Sequence, residues 1–127
     1  VVVVDADLLF MGEGPLDEPV LLHVADGRMT GIEGAEPSRS RLLAMLERCA
    51  DDRMANIAEV SVAFNPAGLV CSVPMETESS RGSAHIALGN SIAYGGRVNA
   101  IAHLDCVMRD AALELDGRVI IAEGTLR

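Results

Sequence analysis

The stretch SAHIALGNSIAYGGRVNAIAHLDCVM, residues 83–108, reads as two short apolar strands separated by a turn region that carries glycine. Each strand holds isolated polar residues: His85 in the first, His103 and Asp105 in the second. In an extended chain residues two apart project to the same face, so His103 and Asp105 share one patch of sheet while Ile101, Ala102, Leu104 and Val107 distribute over the core. Taken alone, an H-x-D pair of this kind describes an edge strand whose polar face meets water. Glu59, however, interrupts NIAEVSVAFNP (56–66) in the same way. A lone buried carboxylate or imidazole is costly unless it is paired or meets a cation. Isolated polar residues on three separate strands therefore point to convergence on one site.

Outward from this pair of strands, the remaining segments predict a fold of antiparallel hairpins. VLLHV (20–24) and MTGIEG (29–34) are joined at Asp26-Gly27, and AALELDGRVIIAEGTL (111–126) repeats the pattern at Asp116-Gly117. The shared DGR suits an internal duplication, but a hairpin turn of this type also recurs without one. In EPSRSRLLAMLERCADD (36–52), Leu42, Leu43, Met45 and Leu46 fall at helical spacing after Pro37 and Ser38, which predicts one amphipathic helix over 38–50. AGLVCSVPMETESSRG (67–82) reads as a loop, and the opening VVVVDADLLF (1–10) as a buried strand. The expected class is α+β, a mainly antiparallel β-sheet with the single helix packed on it, in one domain spanning 1–127.

Half of the 127 residues are apolar, yet there are two Phe, one Tyr and no Trp, so the core is built from Val, Ile, Leu, Ala and Met. Nineteen acidic against ten basic residues give a net charge of -9, which argues against nucleic acid as a partner, because phosphate recognition needs concentrated positive charge. The opening apolar run is short and broken by Asp5 and Asp7, so it predicts neither a signal peptide nor a membrane span. Cys49, Cys71 and Cys106 match neither a disulfide framework nor a C-x-x-C metal motif, and read as reduced thiols of a cytoplasmic protein. No G-x-G-x-x-G or G-x-S-x-G motif occurs. His23, in a hairpin strand, reads as a structural or surface histidine.

His85, His103 and Asp105 have the residue types of a two-histidine, one-carboxylate metal face, to which Glu59 adds a second carboxylate. The expected cofactor is a divalent metal (zinc, manganese, cobalt or iron), with no metal as the alternative.

Together NIAEVSVAFNP, GSAHIALGNSIAYGG and AIAHLDCVM, with the hairpins LDEPVLLHVADGRMTGIEG and ELDGRVIIAEG, resemble the C-terminal metal-binding segment of the aminopeptidase T and S family. The resemblance spans nearly the whole chain in the same order. It implies metal-ligand roles for Glu59, His85, His103 and Asp105, an active-site role for Tyr94, and an acidic loop pair at Glu76 and Glu78, the three making up the ligand-binding candidates. The related dihydroxypyridine dioxygenases use the corresponding histidines and aspartate to hold a single iron. The aminopeptidases have a chain more than twice as long, with a large N-terminal domain and a further glutamate ligand in a G-E-V-F-T-type stretch. This sequence contains neither.

Since two-metal peptide hydrolysis needs both ions, the expected function is an accessory module that binds a peptide or small ligand, derived from a metallo-aminopeptidase and without peptidase activity. The alternative is a small metal-dependent enzyme, either an aminopeptidase-like hydrolase or a mononuclear non-haem iron oxygenase. An extended peptide would be accepted by strand addition at a sheet edge. Apolar surface left uncovered predicts a homodimer, or pairing with a separate N-terminal half.

Overall fold

The computed structural model describes residues 1–9, 11 and 14–127. Its strands are β1 (Val2–Val4), β2 (Asp7–Leu8), β3 (Val20–Ala25), β4 (Arg28–Gly34), β5 (Ile57–Val62), β6 (Ala84–Gly89), β7 (His103–Met108), β8 (Leu113–Leu115), β9 (Arg118–Ala122) and β10 (Thr125–Leu126). Two α-helices, α1 (Ser38–Cys49) and α2 (Pro74–Thr77), and 3-10 turns at Asp52–Ala55 and Ile92–Tyr94 complete the described elements. The strands form three sheets, ordered β1-β3-β4, β2-β7-β6-β5 and β10-β9-β8, with every neighbouring pair antiparallel. The chain is thus the expected α+β fold with one main helix.

Local chemistry accounts for the hairpins. Asp26 and Gly27 have φ of 50° and 71°, and Asp116 and Gly117 have φ of 50° and 79°. Two consecutive left-handed residues make the two-residue turn whose twist matches that of paired strands, and Asp-Gly tolerates it best. Helix α1 ends where Ala50 turns left-handed (φ 47°) and returns its N–H to the carbonyls of Leu46 and Glu47.

The main core lies between two sheets. Leu8, Ile86, Leu88, Leu104 and Cys106 on one face of the four-stranded sheet meet Val4, Val20 and Leu22 of the β1-β3-β4 sheet, with Leu42 of α1 and Met54 closing the cluster. Alternation along the strands sends His85, Ala87, His103 and Asp105 to the opposite face. There a small second cluster of Ala6, Leu9 and Val107 packs with Val70.

Three expectations need correction. The opening run is two strands in different sheets, because at Asp5 the chain leaves β1, accepts the Arg109 N–H at 2.8 Å, and Ala6 then bonds to Val107. Phe10, the last residue of that predicted strand, lies outside the described residues. The 67–82 loop contains α2, started by Pro74, whose missing N–H costs nothing at a first helical position. Strand β7 begins only at His103: Ile101 is 68% exposed, and its N–H bonds to the Asp51 carboxylate at 2.9 Å in place of a strand partner. No helix among the described residues is long and apolar enough to cross a membrane.

Candidate metal centre

Three adjacent strands place the polar residues. Across β5, β6 and β7 the register aligns Glu59 with Ala87 and Ala87 with Asp105, and sets His103 opposite Gly89. His85 lies in the next row, between Ser61 and Val107. Glu59 reaches this face because of a bulge. Ile57 pairs with Leu88 but Glu59 pairs with Ala87, so Ala58 is an extra residue that separates two side chains strict alternation would keep together.

The geometry within the cluster is tight. His103 Nε2 lies 3.2 Å from Asp105 Oδ1 and 3.4 Å from Glu59 Oε2, and His85 Nε2 lies 3.5 Å from Glu59 Oε1. Asp105 and His85 are buried, and the Glu59 side chain is only 15% exposed. The Ser61 hydroxyl donates to Glu59 Oε1 at 2.5 Å and holds that carboxylate in place.

The proton on His103 is fixed by its second partner. Nδ1 lies 2.7 Å from the backbone carbonyl of Asn90, which can only accept, so Nδ1 carries a proton and donates it. In the neutral ring Nε2 is then a bare lone pair facing two carboxylates. It is a buried atom without a hydrogen-bond partner, as is Nδ1 of His85. Imidazole nitrogens and carboxylate oxygens converging at 3.2–3.5 Å make the donor set a cation would take, and a histidine anchored through its other nitrogen is the usual form of a metal ligand.

Glu78, at the C-terminal end of α2, completes the arrangement. One ligand atom each from Glu59, His103 and Asp105 falls within 4.8 Å of the others, and so does one each from Glu78, His85 and Asp105. Burial, and then the adjacent Asp105 charge, raise the Glu78 pKa above the usual carboxylate value. Glu76 belongs to neither group: two residues apart on a helical turn, the two side chains point in nearly opposite directions. Tyr94 stacks on His103, with ring centroids 4.9 Å apart and planes at 19°. Desolvation, then the charges of Glu59, Asp105 and Glu78, raise its hydroxyl pKa. An open hollow lined by Asn90, Ala93, Tyr94, Ile101, Ala102 and His103 lies beside the stacked rings.

Thus Glu59, His85, His103, Asp105, Glu78 and Tyr94 are brought together, and Glu76 is not. Sequence reasoning missed Asn90 and Ser61, which carry no motif of their own. His23 pairs with Glu33 at 2.9 Å on the exposed face of the β3–β4 hairpin, away from the cluster. The three cysteines are free thiols, and burial raises the pKa of Cys106.

Comparison with known proteins identifies the scaffold. The family model described as NicX, 2,5-dihydroxypyridine 5,6-dioxygenase, matches residues 1–127. The solved structure of 2,5-dihydroxypyridine dioxygenase from Pseudomonas putida KT2440 matches 99% of this chain with a TM-score of 0.85 at 19% sequence identity, which shows a shared fold. This chain spans 39% of that one. No curated protein matches.

These matches correct the functional expectation. The peptide-binding accessory module, and with it the aminopeptidase-like character, is overturned by a family match to a dioxygenase along the whole chain. The H-I-A-L-G and H-x-D strands that suggested an aminopeptidase are also the features expected of the dioxygenases, so the motifs alone did not separate the two families. The oxygenase alternative fits better.

Proposed function

We propose a function from one premise: the chain belongs to the NicX family of 2,5-dihydroxypyridine 5,6-dioxygenases, whose model it matches from end to end. The proposed activity is metal-dependent, oxygen-consuming opening of a hydroxylated pyridine ring. Iron is the proposed metal, and His85, His103 and Asp105 are its proposed ligands, with Glu59 as a further carboxylate beside them. The single observation that carries this reading is the buried Nε2 of His103, which has no hydrogen-bond partner and lies between two carboxylates.

The two groups Glu59–His103–Asp105 and Glu78–His85–Asp105 share Asp105 and offer nitrogen and oxygen without thiolate, a donor set that suits iron(II). Bound there, iron would supply the redox capacity to engage dioxygen and the Lewis acidity to hold a ring hydroxyl. The protein's own groups do the positioning. The Asn90 carbonyl fixes the tautomer of His103, the Tyr94 ring holds the imidazole plane, and Ser61 orients Glu59. Glu78 stands with His85 and Asp105 as a further carboxylate at the centre. The hollow beside Tyr94 and His103 offers a flat aromatic wall to a planar heterocycle.

The test is oxygen uptake. Protein loaded anaerobically with iron(II) is mixed with 2,5-dihydroxypyridine in aerated buffer, and oxygen consumption is followed together with loss of the pyridine absorbance. The expected result is equal consumption of oxygen and ring without an added reductant, abolished in His103→Ala and Asp105→Asn. Stoichiometric iron binding without oxygen uptake would overturn the proposed activity, and unchanged iron binding in His103→Ala would overturn the proposed site.

A further inference from the structure

Asp7 is a buried carboxylate for which the metal centre has no direct use. It lies on β2, is 1% exposed and stands opposite Val107, whose other neighbour is His85. It therefore occupies the same face of the sheet as the metal centre, one strand beyond β7. Its carboxylate accepts the Ser72 hydroxyl at 2.5 Å, a contact that joins residues 65 positions apart.

Ser72 begins the segment that delivers Glu78. It sits in the left-handed region at φ 64°, which a serine adopts only where its surroundings hold it. The preceding N–H, of Cys71, bonds to Thr77 Oγ1 at 3.1 Å, and Thr77 is fully buried. Thr77 N–H returns to the Val73 carbonyl at 2.8 Å and Glu78 N–H to Pro74 at 3.0 Å. Each of these links is short in sequence except the first, which fastens the start of the unit to the sheet, while its far end is held by the Asn65 N–H on the Ser79 carbonyl at 2.9 Å. Val70, packed against Val107, Ala6 and Leu9, is an apolar contact on the same side.

We infer that Asp7 is a positioning residue for Glu78: through Ser72 it holds segment 70–78 on the sheet face, so that the Glu78 carboxylate meets His85 and Asp105. This rests on the proposed metal centre only in giving Glu78 a cation to meet. The placement of the segment is independent of it.

Two measurements on the same variants test the inference. Hydrogen exchange of the metal-free protein, read by mass spectrometry, is expected to quicken about tenfold or more across residues 71–78 in Ser72→Ala while β6 and β7 keep their protection. Asp7→Asn retains a carbonyl oxygen for Ser72 and is expected to keep most of that protection. In parallel, manganese(II) affinity is measured for Ser72→Ala, Glu78→Gln and the double variant. Both single changes are expected to weaken binding by a similar factor, and the double variant to bind no more weakly than Glu78→Gln alone. Unchanged exchange in Ser72→Ala, or losses that multiply in the double variant, would overturn the inference. If the unaltered protein binds no manganese, the proposed metal centre fails, and the exchange measurement alone decides the role of Asp7.

Discussion

Glu59 stands directly opposite Ala87, and Ala87 in turn stands opposite Asp105. The small residue at the middle of this row leaves the space between two carboxylates open. Directly opposed Cβ atoms are about 4.5–5.5 Å apart, so a larger side chain at this position fills the site. Ala87→Leu is expected to cost about 1–3 kcal/mol through overpacking, to remain folded, and to lose cobalt binding at the proposed centre. Urea unfolding and cobalt(II) absorption titration check this; a variant that binds cobalt like the parent protein sinks the placement of the site above Ala87.

Gly89 faces His103 at the end of the same pairing and has a φ of 99°. A Cβ there would lie 2.3 Å from the Ala102 carbonyl oxygen and 2.7 Å from Met54 Sδ. Backbone strain and collision act together, so Gly89→Ala is expected to destabilise the fold by roughly 2–4 kcal/mol. The shift of the denaturant midpoint measures it, and a loss under 1 kcal/mol would contradict this account of the turn.

Tyr94 covers His103 from the solvent side and is itself 58% exposed. Removing the ring takes away the stack but little core packing. Stacked aromatic pairs contribute about 0.5–1.5 kcal/mol, so Tyr94→Leu is expected to weaken metal binding about 2- to 12-fold with little change in melting temperature. Competition with a chelating dye reads the affinity. An unaltered affinity would show that the Asn90 hydrogen bond holds the imidazole without help from Tyr94.

Asp51 ties the end of the α1 segment to the residues that lead into β7. One carboxylate oxygen accepts from Arg53 Nε at 2.8 Å and from the Arg53 N–H at 3.0 Å, and the other from the Ile101 N–H at 2.9 Å. The Arg53 side-chain hydrogen bond, with those two backbone N–H groups, lowers its pKa from 3.8 to about 2. A pKa depressed in the folded state gives stability that is fully present above the unfolded value and lost as the pH falls through the folded one. The stability difference between the parent protein and Asp51→Asn is therefore expected to be largest above pH 4 and to shrink as the pH falls towards 2. Denaturant unfolding across that range tests it; a constant difference would mean that the Asp51 charge does not contribute.

Much of the fold was legible because its signals are local. Asp-Gly at 26–27 and 116–117 specifies two hairpins through backbone dihedrals alone. The spacing of Leu42, Met45 and Leu46 places α1 as Ser38–Cys49, close to the predicted 38–50. The two-residue period of β7 puts His103 and Asp105 on one face wherever that strand lies.

What the sequence by itself determined was therefore the class of the fold, the paired direction of His103 and Asp105, and the presence of polar residues on three apolar strands. Only the tertiary structure decided how those residues meet. Alternation within 57–62 groups Ile57 with Glu59, and it is the pairing of β5 with β6 that makes Ala58 a bulge and turns Glu59 to the site. The same holds for Glu78, carried in by a segment fastened at Asp7, and for the tautomer of His103, set by a carbonyl 13 residues earlier. Dihedrals and side-chain period act over a few residues and can be read in order along the chain. Register, bulges and distant hydrogen bonds come from the choice of partner strand, and that choice is made by the packing of the whole sheet.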